Sequence, residues 1–482
     1  MLGRVLRIWR FEGTIDRGAY AMWGFLLMAI KYNLDRLVAA LHGHAWSPLN
    51  YLRSPTDLDV LAAGNRSLIW QLLLLAIPFI WAGLALTVQR LRSVGLPLKM
   101  VVLFFVPTIN LLFLAVLCIL PARLRTDLET GPPDNGFLKA VLDRIIPRSR
   151  LGSAAMAVVL TGAVGIGLIA ISVHGFRQYG AMLFVGLPFA LGLMASLLYG
   201  YHQERNVGEC FAVAGLAIVL VGLSLLAFAI EGVICILMAA PIGGALACLG
   251  ALVGCSIQKM GRGPSGGTTA LPLMILLLPG LMGAEALAPP TPPVYAVRTL
   301  VEIDAPPTDV WRHVVVFSEL PPPKELIFRL GVAHPLRAEI SGRGVGAVRK
   351  CVFSTGPFIE PITVWDEPHL LKFDVTAQPP AMTEMSPYSN INAPHLDSFL
   401  VSQGGQFALT ELPGNRTRLE GTTWYHHNIW PAAYWRIWSD GIIHDIHNRV
   451  LAHIKAETER ETRMSLAIPP LREADPSQSH LN

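Results

Sequence analysis

The sequence predicts a multi-span α-helical membrane protein with a C-terminal α+β domain, in which an antiparallel sheet surrounds a long C-terminal helix. Three observations predict this class. Of the 482 residues, 52% are hydrophobic and only 15% are charged, which is too apolar for an average soluble protein. Several apolar runs extend for about 20 residues, enough for a helix to cross a hydrocarbon core of about 30 Å. After residue 293 the pattern changes to short alternating segments, which are typical of strands.

Six apolar runs carry the membrane prediction. They have no polar face, whereas buried helices of a large soluble core turn a polar face to water. No lysine or arginine lies between Arg205 and Lys259, a stretch that contains two of these runs. The predicted spans are residues 68–88, 153–173, 181–201, 210–230, 232–257 and 270–288.

Two other segments decide the topology. Residues 20–41 are apolar but contain Lys31, Asp35 and Arg36, and we expect them to span with the last two charges near an interface. Residues 99–121 contain Pro107 and form either one kinked helix or two short arms that turn there. The sequence leaves both alternatives open.

Basic residues indicate which end of the bundle faces the cytoplasm, because short cytoplasmic loops are enriched in lysine and arginine. The basic clusters lie in residues 4–17, 90–92 and 123–150 and at Lys259 and Arg262. All of them are cytoplasmic only if residues 99–121 form a hairpin. On that interpretation the protein is a multi-pass protein of the inner (plasma) membrane with its C-terminal domain on the periplasmic or outer side. A kinked traverse would reverse this orientation.

Two polar motifs frame the first apolar runs. Residues 10–17 read Arg-Phe-Glu-Gly-Thr-Ile-Asp-Arg, and residues 89–95 read Gln-Arg-Leu-Arg-Ser-Val-Gly. Over residues 8–140 the chain resembles a bacterial inner-membrane family, the domain of unknown function 805. The family pattern has His and Asp where this sequence has Arg92 and Ser93. The resemblance implies no activity, because the family is functionally unassigned.

The arginines of these motifs have a physical interpretation of their own. Arg10, Arg17, Arg90 and Arg92 lie at the ends of predicted spans, where arginine pairs with lipid phosphates. A transporter would need intramembrane charges or broken helices that face a cavity. The sequence has few intramembrane charges and few residues that would break a helix, so transport is kept only as an alternative function.

Composition and cysteine spacing exclude several other classes of site. The formal net charge is only +4, without the clustered basic surface of a nucleic-acid-binding protein. Five of the six cysteines lie in or beside apolar runs, and none has the Cys-x-x-Cys spacing of a zinc or redox site. We therefore interpret the cysteines as small apolar residues and predict no metal and no cofactor.

The C-terminal part begins after the stiff linker Pro289-Pro290-Thr291-Pro292-Pro293. A strand is predicted over residues 295–304 and a helix over 309–320. Six strand-like stretches follow, and a long helix over 432–462 has an apolar stripe. The predicted strands are residues 336–340, 346–354, 359–365, 370–375, 399–409 and 417–426.

The start of this domain carries a second resemblance. The run Val301-Glu302-Ile303-Asp304-Ala305-Pro306-Pro307, followed by Val310-Trp311, resembles the START-like helix-grip superfamily (SRPBCC), which includes polyketide cyclases/dehydrases and lipid-transport proteins. The resemblance covers residues 295–462. It implies an apolar ligand held between a curved sheet and the terminal helix, and many such domains have no catalytic residues.

The expected domains are residues 1–140, resembling domain of unknown function 805, residues 141–290 with further transmembrane helices, a START-like domain at 291–465, and a disordered tail at 466–482. We predict no catalytic and no metal-binding residues. A closed core would use the same aromatic side chains as a ligand pocket. The predicted ligand-binding residues are Phe353, Phe373, Phe407, Tyr425, Tyr434, Trp438 and Ile442.

Two features of the C-terminal part leave alternatives open. The insertion at residues 377–398 is either a lid over the pocket or a plain surface loop. Five histidines near the last strand and helix suggest a metal, but neighbouring His426 and His427 point to opposite faces of a strand, and zinc needs three or four convergent ligands. These histidines are His426, His427, His444, His447 and His453.

The leading hypothesis is membrane-tethered binding of a lipid-like or other apolar small molecule, for sensing, holding or transfer, without covalent chemistry. The partners are then the lipid bilayer and the apolar ligand, and nucleic acid is not among them. An enzyme of the cyclase/dehydrase type acting on an apolar substrate is the second hypothesis. A transporter with an accessory soluble domain is the third.

Overall fold

The computed structural model describes residues 6–52, 66–106, 108–120, 122, 137–259, 270–287, 289, 291–388, 391, 393–396 and 399–467. The chain divides into two compact units. The first comprises Met1–Pro293, Glu384–His395 and Asn428–Trp435, and the second comprises Val294–Thr383, Leu396–His427 and Arg436–Asn482. Most of the predicted tail, from residue 468 onward, lies outside the described residues.

The first unit is helical. Among the described residues, five helical segments are long and apolar enough to cross a membrane: Arg66–Val94, Arg150–Gly175, Met182–Tyr199, Val207–Ala227 and Val233–Gln258. Arg17–Leu41 and Ala270–Leu287, where spans are also predicted, do form helices but do not meet both conditions. The helices are α1 (Arg17–Leu41), α2 (Arg66–Val94), α3 (Ile109–Ile119), α4 (Phe137–Ile145), α5 (Arg150–Ala170), α6 (Leu187–Tyr199), α7 (Val207–Ala227), α8 (Val233–Gln258) and α9 (Ala270–Leu287).

The segment after α2 leaves one end of this unit and returns to it. It consists of a 3₁₀ helix, Leu98–Phe105, and α3. Arg90, near the end of α2, donates from Nε to the Leu117 carbonyl at 2.9 Å and from Nη2 to the Leu120 carbonyl, both at the end of α3. The end of α3 therefore lies beside the end of α2, which is the hairpin alternative.

The burial of Arg90 contradicts its predicted contact with lipid phosphates. Its side chain is completely buried, and Nη1 donates to the Ile15 carbonyl at 3.2 Å and to Ser93 Oγ at 3.0 Å. The interpretation of Arg90 as a lipid-phosphate anchor is therefore wrong. The physical reason is that the carbonyls at helix ends lack intrahelical partners, and a guanidinium has enough donors to satisfy several of them.

Two glycines allow α6 and α8 to pack closely. A Cβ atom added at Gly192 would lie 1.9 Å from the Ala247 carbonyl oxygen, and one added at Gly250 would lie 1.9 Å from that of Phe189. Small residues at helix crossings let backbones approach in this way. Helix α6 is consequently almost entirely buried within the unit.

We expect Gly250→Ala to force α6 and α8 apart and to lower the stability of the helical unit, by about 1–3 kcal/mol as for other overpacked sites. Gly244→Ala on the same helix is the matched control, because nothing lies within 4 Å of a Cβ at that position. Thermal unfolding of the purified full-length variants in detergent measures the difference. Equal midpoints for the two variants would contradict this account of the packing.

The second unit contains one seven-stranded sheet with the order β1-β7-β6-β5-β4-β3-β2, in which every neighbouring pair is antiparallel. The sequence of elements is the predicted one, with a short additional helix after the first. The elements are β1 (Tyr295–Ile303), α10 (Pro307–Val315), α11 (Leu326–Arg329), β2 (Pro335–Ser341), β3 (Val348–Phe353), β4 (Gly356–Asp366), β5 (Leu370–Asp374), β6 (Leu400–Leu412), β7 (Arg416–His427) and α12 (Ala432–Ala467).

The chain forms this topology because its turns are sharp and its long helix is apolar on one side. Gly414 and Asn415 adopt positive φ angles of 83° and 58° between β6 and β7, as a tight hairpin turn requires. Val450, Leu451 and Ile454 of α12 pack into a core with Trp311 and Leu371. The curled antiparallel sheet with a long terminal helix resembles the helix-grip fold.

Candidate functional site

A cavity of about 140 Å³ lies between the sheet and α12 of the second unit. Residues of β3 to β7 form one wall, and Ile442, Ile446 and Val450 of α12 form the opposite wall. The sheet interior is therefore not filled by its own side chains. An apolar cavity of roughly 150 Å³ is large enough to admit benzene.

The walls of the cavity are mainly aromatic and aliphatic. The rings of Phe353 and Phe358 pack at a tilted angle with centroids 4.6 Å apart, and those of Phe373 and Phe407 do so at 6.2 Å. The sheet surface has room beside Gly421, since the atoms nearest to a Cβ added there would be those of Leu451 and Phe407, at 3.7 Å. The aromatic and aliphatic lining residues include Phe317, Phe353, Phe358, Phe373, Val375, Leu400, Phe407, Ile442, Ile443, Ile446, Val450 and Leu451.

A buried ion pair, Arg349 with Glu360, interrupts this apolar lining. Arg349 is 1% exposed and Glu360 6%, and Nη1 of the arginine donates to Glu360 Oε2. Arg349 Nε donates to the Val315 carbonyl at 3.2 Å. Burial raises the pKa of Glu360, although the neighbouring guanidinium acts in the opposite direction.

Three phenylalanine rings surround the guanidinium. Its Cζ atom lies 5.4–5.6 Å from the ring centroids of Phe317, Phe373 and Phe407, within the range of cation–π attraction. Nη2 is nevertheless buried without a hydrogen-bond partner among the described residues. A buried donor without a partner is costly, so this nitrogen favours an acceptor placed in the cavity.

The imidazole of His447, which also lines the cavity, has hydrogen-bond partners on both of its nitrogens. His447 Nε2 lies 2.8 Å from Thr423 Oγ1, and Nδ1 lies 3.0 Å from Thr299 Oγ1. Burial, and then the charge of His444, lower the pKa of His447 to about 4. Burial also raises the pKa of the Cys351 thiol to about 12, which makes it a poor nucleophile at neutral pH.

The predicted ligand-binding residues fall into two groups. Phe353, Phe373, Phe407 and Ile442 line the cavity. Tyr425, Tyr434 and Trp438 are not among the described residues that line the cavity. Tyr425 is buried beside it, and its hydroxyl donates to Asp440 Oδ1 at 2.6 Å. That any of these residues binds a ligand stays a prediction.

Tyr434 and Trp438 lie at the start of α12, before the cavity-lining turns. Tyr434 belongs to the first unit, where its hydroxyl donates to the Met238 carbonyl at 2.5 Å, and Trp438 is half-buried in the second. An apolar stripe indicates which helix face is covered, but it does not indicate what covers each turn.

Of the five histidines considered as metal ligands, His444 and His447 come together at one hydroxyl group, and His426 and His453 contact other side chains. His444 and His447 both contact Thr299 Oγ1, His426 contacts Gln403, and His453 contacts Ser318. Neutral hydroxyl and amide groups are therefore their partners in these contacts.

Sequence reasoning missed Arg349 and Glu360, which are the main charged features of the cavity. Arg349 on β3 and Glu360 on β4 are cross-strand partners in the sheet register. Successive side chains of a strand point to opposite faces of the sheet, so Arg349 and Glu360 lie on the face opposite to Val348 and Ile359. In the sequence alone, each resembles an ordinary charged strand residue. Only the pairing of β3 with β4 brings the two charges together.

No family model matches the chain, and no curated protein matches it. Among solved structures it is similar to norcoclaurine synthase from Thalictrum flavum and to an aromatase/cyclase from a Streptomyces species. For each, the identity is 14%, the match covers 36% of this chain and 98% of the other, and the TM-score is 0.25. Aha1 from Colwellia psychrerythraea has 14% identity, coverage of 34% and 96%, and a TM-score of 0.21. Similarities this low carry no argument about activity.

We expect Arg349→Met to destabilise the second unit by about 3–5 kcal/mol, because it leaves Glu360 buried without its cationic partner. Replacing both residues, Arg349→Met with Glu360→Leu, removes the buried charges together and restores most of the stability. Amide hydrogen exchange of β3 and β4, followed by mass spectrometry on the full-length protein, measures both effects. If the single variant exchanged as slowly as the natural protein, the pair would have no such role.

Proposed function

We propose that the second unit binds a small, uncharged, mainly apolar molecule that carries one hydrogen-bond acceptor. The observation that carries this proposal is that Arg349, which lines an aromatic-rich cavity, has a buried Nη2 with no hydrogen-bond partner in the described part of the chain. The Arg349–Glu360 pair has no formal net charge, so an uncharged ligand is a better electrostatic match than an ionised one.

The size of the cavity refines the ligand class. A volume of about 140 Å³ matches one or two small rings rather than the complete acyl chains of a membrane lipid. The proposed ligand is thus an apolar small molecule that partitions into membranes, and we propose that the domain senses, holds or transfers it.

The polar side chains of the cavity support binding rather than covalent chemistry. Arg349 is paired with Glu360, His447 contacts two threonines, and the thiol of Cys351 has a raised pKa. A cyclase-type reaction remains the second candidate. It would use Arg349 to polarise a substrate carbonyl.

We also propose that the first unit spans the inner membrane and tethers the second. Arg144 and Arg148 precede α5, and Arg150 is its first residue. Arg205 and Lys259 lie at the same end of the bundle, where Arg205 contacts Ser153 of α5 and Gln258 contacts the Arg205 backbone. With this end cytoplasmic, the odd number of later spans, α5 to α9, would export the C-terminal domain.

Labelling of a cysteine introduced at exposed Ser354 tests this orientation. We expect a membrane-impermeant maleimide to label it in intact cells. Labelling that occurs only after lysis would place the C-terminal domain on the cytoplasmic side.

The proposed domains are contiguous, although two segments within 291–465, Glu384–His395 and Asn428–Trp435, belong to the first unit. Residues 1–140 and 141–290 would form the membrane part, and 291–465 the binding domain. The resemblance of residues 8–140 to domain of unknown function 805 remains part of this proposal.

We expect Ile442→Trp to abolish ligand binding, because the indole would occupy part of the cavity. Ile437→Trp on the same helix is the matched control, since Ile437 is 69% exposed. The probe is 4-fluoroacetophenone, which has one ring and one carbonyl acceptor. Its binding to the full-length protein in nanodiscs is measured by ¹⁹F NMR, with empty nanodiscs as the background.

The comparison probe is 4-fluorotoluene, which lacks the acceptor. A hydrogen bond to a charged donor contributes about 1.5–3 kcal/mol, so the ketone should bind at least tenfold more tightly. Binding that survives Ile442→Trp, or equal affinity for the two probes, would refute the proposed function.

A further inference from the structure

A second cluster of reactive side chains lies in the first unit, at the end where α5 is joined to α6 and α7 to α8. Glu231 and Cys235 flank the start of α8, whose N-cap is Gly232. Glu384 and His395 come from the segment Glu384–His395, which belongs to this unit although it is inserted between β5 and β6. The cluster joins residues that are about 150 positions apart in the sequence.

Three donor atoms of different chemical type face one another in this cluster. Cys235 Sγ lies 2.6 Å from Glu384 Oε1 and 2.8 Å from His395 Nε2. His395 Nε2 lies 3.5 Å from Glu384 Oε1. A thiol, an imidazole nitrogen and a carboxylate oxygen thus form a triangle within which one small ion can contact all three.

The other side of the imidazole faces a carboxylate. His395 Nδ1 lies 3.2 Å from Glu231 Oε2, and Glu231 Oε1 accepts a hydrogen bond from the Tyr179 hydroxyl at 2.7 Å. A metal-binding histidine usually donates its second ring N–H to a carboxylate, a backbone carbonyl or water, which fixes the ring orientation and increases the basicity of the ligand.

The two carboxylates are incompletely satisfied. Glu384 has a fully buried side chain, and its Oε2 has no hydrogen-bond partner among the described residues. Glu231 Oε2 likewise lacks a hydrogen bond of acceptable geometry within the described part of the chain, despite its proximity to His395. Two buried carboxylates beside one imidazole leave excess negative charge, which a divalent cation would compensate.

Glycine at position 232 makes room for this arrangement. A Cβ atom there would lie 1.8 Å from Glu384 Oε2, so any other residue would displace the carboxylate. A simple ion-pair lock between His395 and the two glutamates would explain part of the cluster. It would not explain why a cysteine contacts both His395 and Glu384, or why Glu384 Oε2 is buried without a hydrogen-bond partner among the described residues.

We propose that Cys235, His395 and Glu384 bind a zinc ion, with Glu231 positioning His395. Thiolate, imidazole and carboxylate together are typical zinc ligands, whereas calcium and magnesium prefer oxygen ligands only. Three protein ligands leave a fourth coordination position for water or another molecule. The site is independent of the cavity in the second unit and of the ligand proposed for it.

The test uses Co²⁺ as a spectroscopic substitute for Zn²⁺ in the full-length protein, purified in detergent and stripped with a chelator. We expect one Co²⁺ per chain, a thiolate-to-cobalt charge-transfer absorption band, and loss of this band when Zn²⁺ is added. Cys235→Ser should abolish the band. Cys248→Ser is the matched control on the same helix and should retain it.

A second variant separates metal binding from folding. Glu231→Gln keeps all three proposed ligands and should weaken Co²⁺ binding by about 10- to 100-fold while the charge-transfer band persists at saturation. The proposal is overturned if the natural protein gives no charge-transfer band, if Cys235→Ser retains it, or if Glu231→Gln binds Co²⁺ with unchanged affinity.

Discussion

The buried pairing of Arg349 with Glu360 is the interaction on which the proposed function depends. An arginine in an apolar interior is tolerated only when its charge and its donors are compensated. Here one carboxylate, one backbone carbonyl and three aromatic rings provide most of that compensation. The remaining donor, Nη2, has no hydrogen-bond partner among the described residues. We propose that this incompleteness makes the cavity prefer a ligand that carries an acceptor.

Arg90 in the helical unit shows the same physical constraint with a different outcome. It is also fully buried, but its nitrogens contact carbonyls at the ends of two segments and a serine hydroxyl. It is thus a structural link that closes the hairpin formed by Leu98–Phe105 and α3. The two arginines differ in this respect: the fold supplies partners for the donors of Arg90, whereas Nη2 of Arg349 has none among the described residues.

The sequence predicted most of the architecture because periodicity is local. Apolar runs, alternating strands and turn residues such as Gly414 and Asn415 each depend on neighbours within a few positions, and the order of elements followed from them. The sites depend on pairings between distant positions. Arg349 meets Glu360 only through strand register, and Cys235 meets His395 only because a segment inserted in the C-terminal part belongs to the helical unit. Local patterns alone therefore predict only a small apolar role for Cys235.

The central claim is that Arg349 donates a hydrogen bond to the ligand in the cavity. Isotope-edited infrared spectroscopy of carbonyl-labelled 4-fluoroacetophenone, bound to the full-length protein, tests it most directly. The account predicts that the carbonyl stretch moves to lower frequency than in lipid alone, and that replacing Arg349 and Glu360 together by Met and Leu removes the shift. A carbonyl frequency equal to that in the bilayer would contradict it.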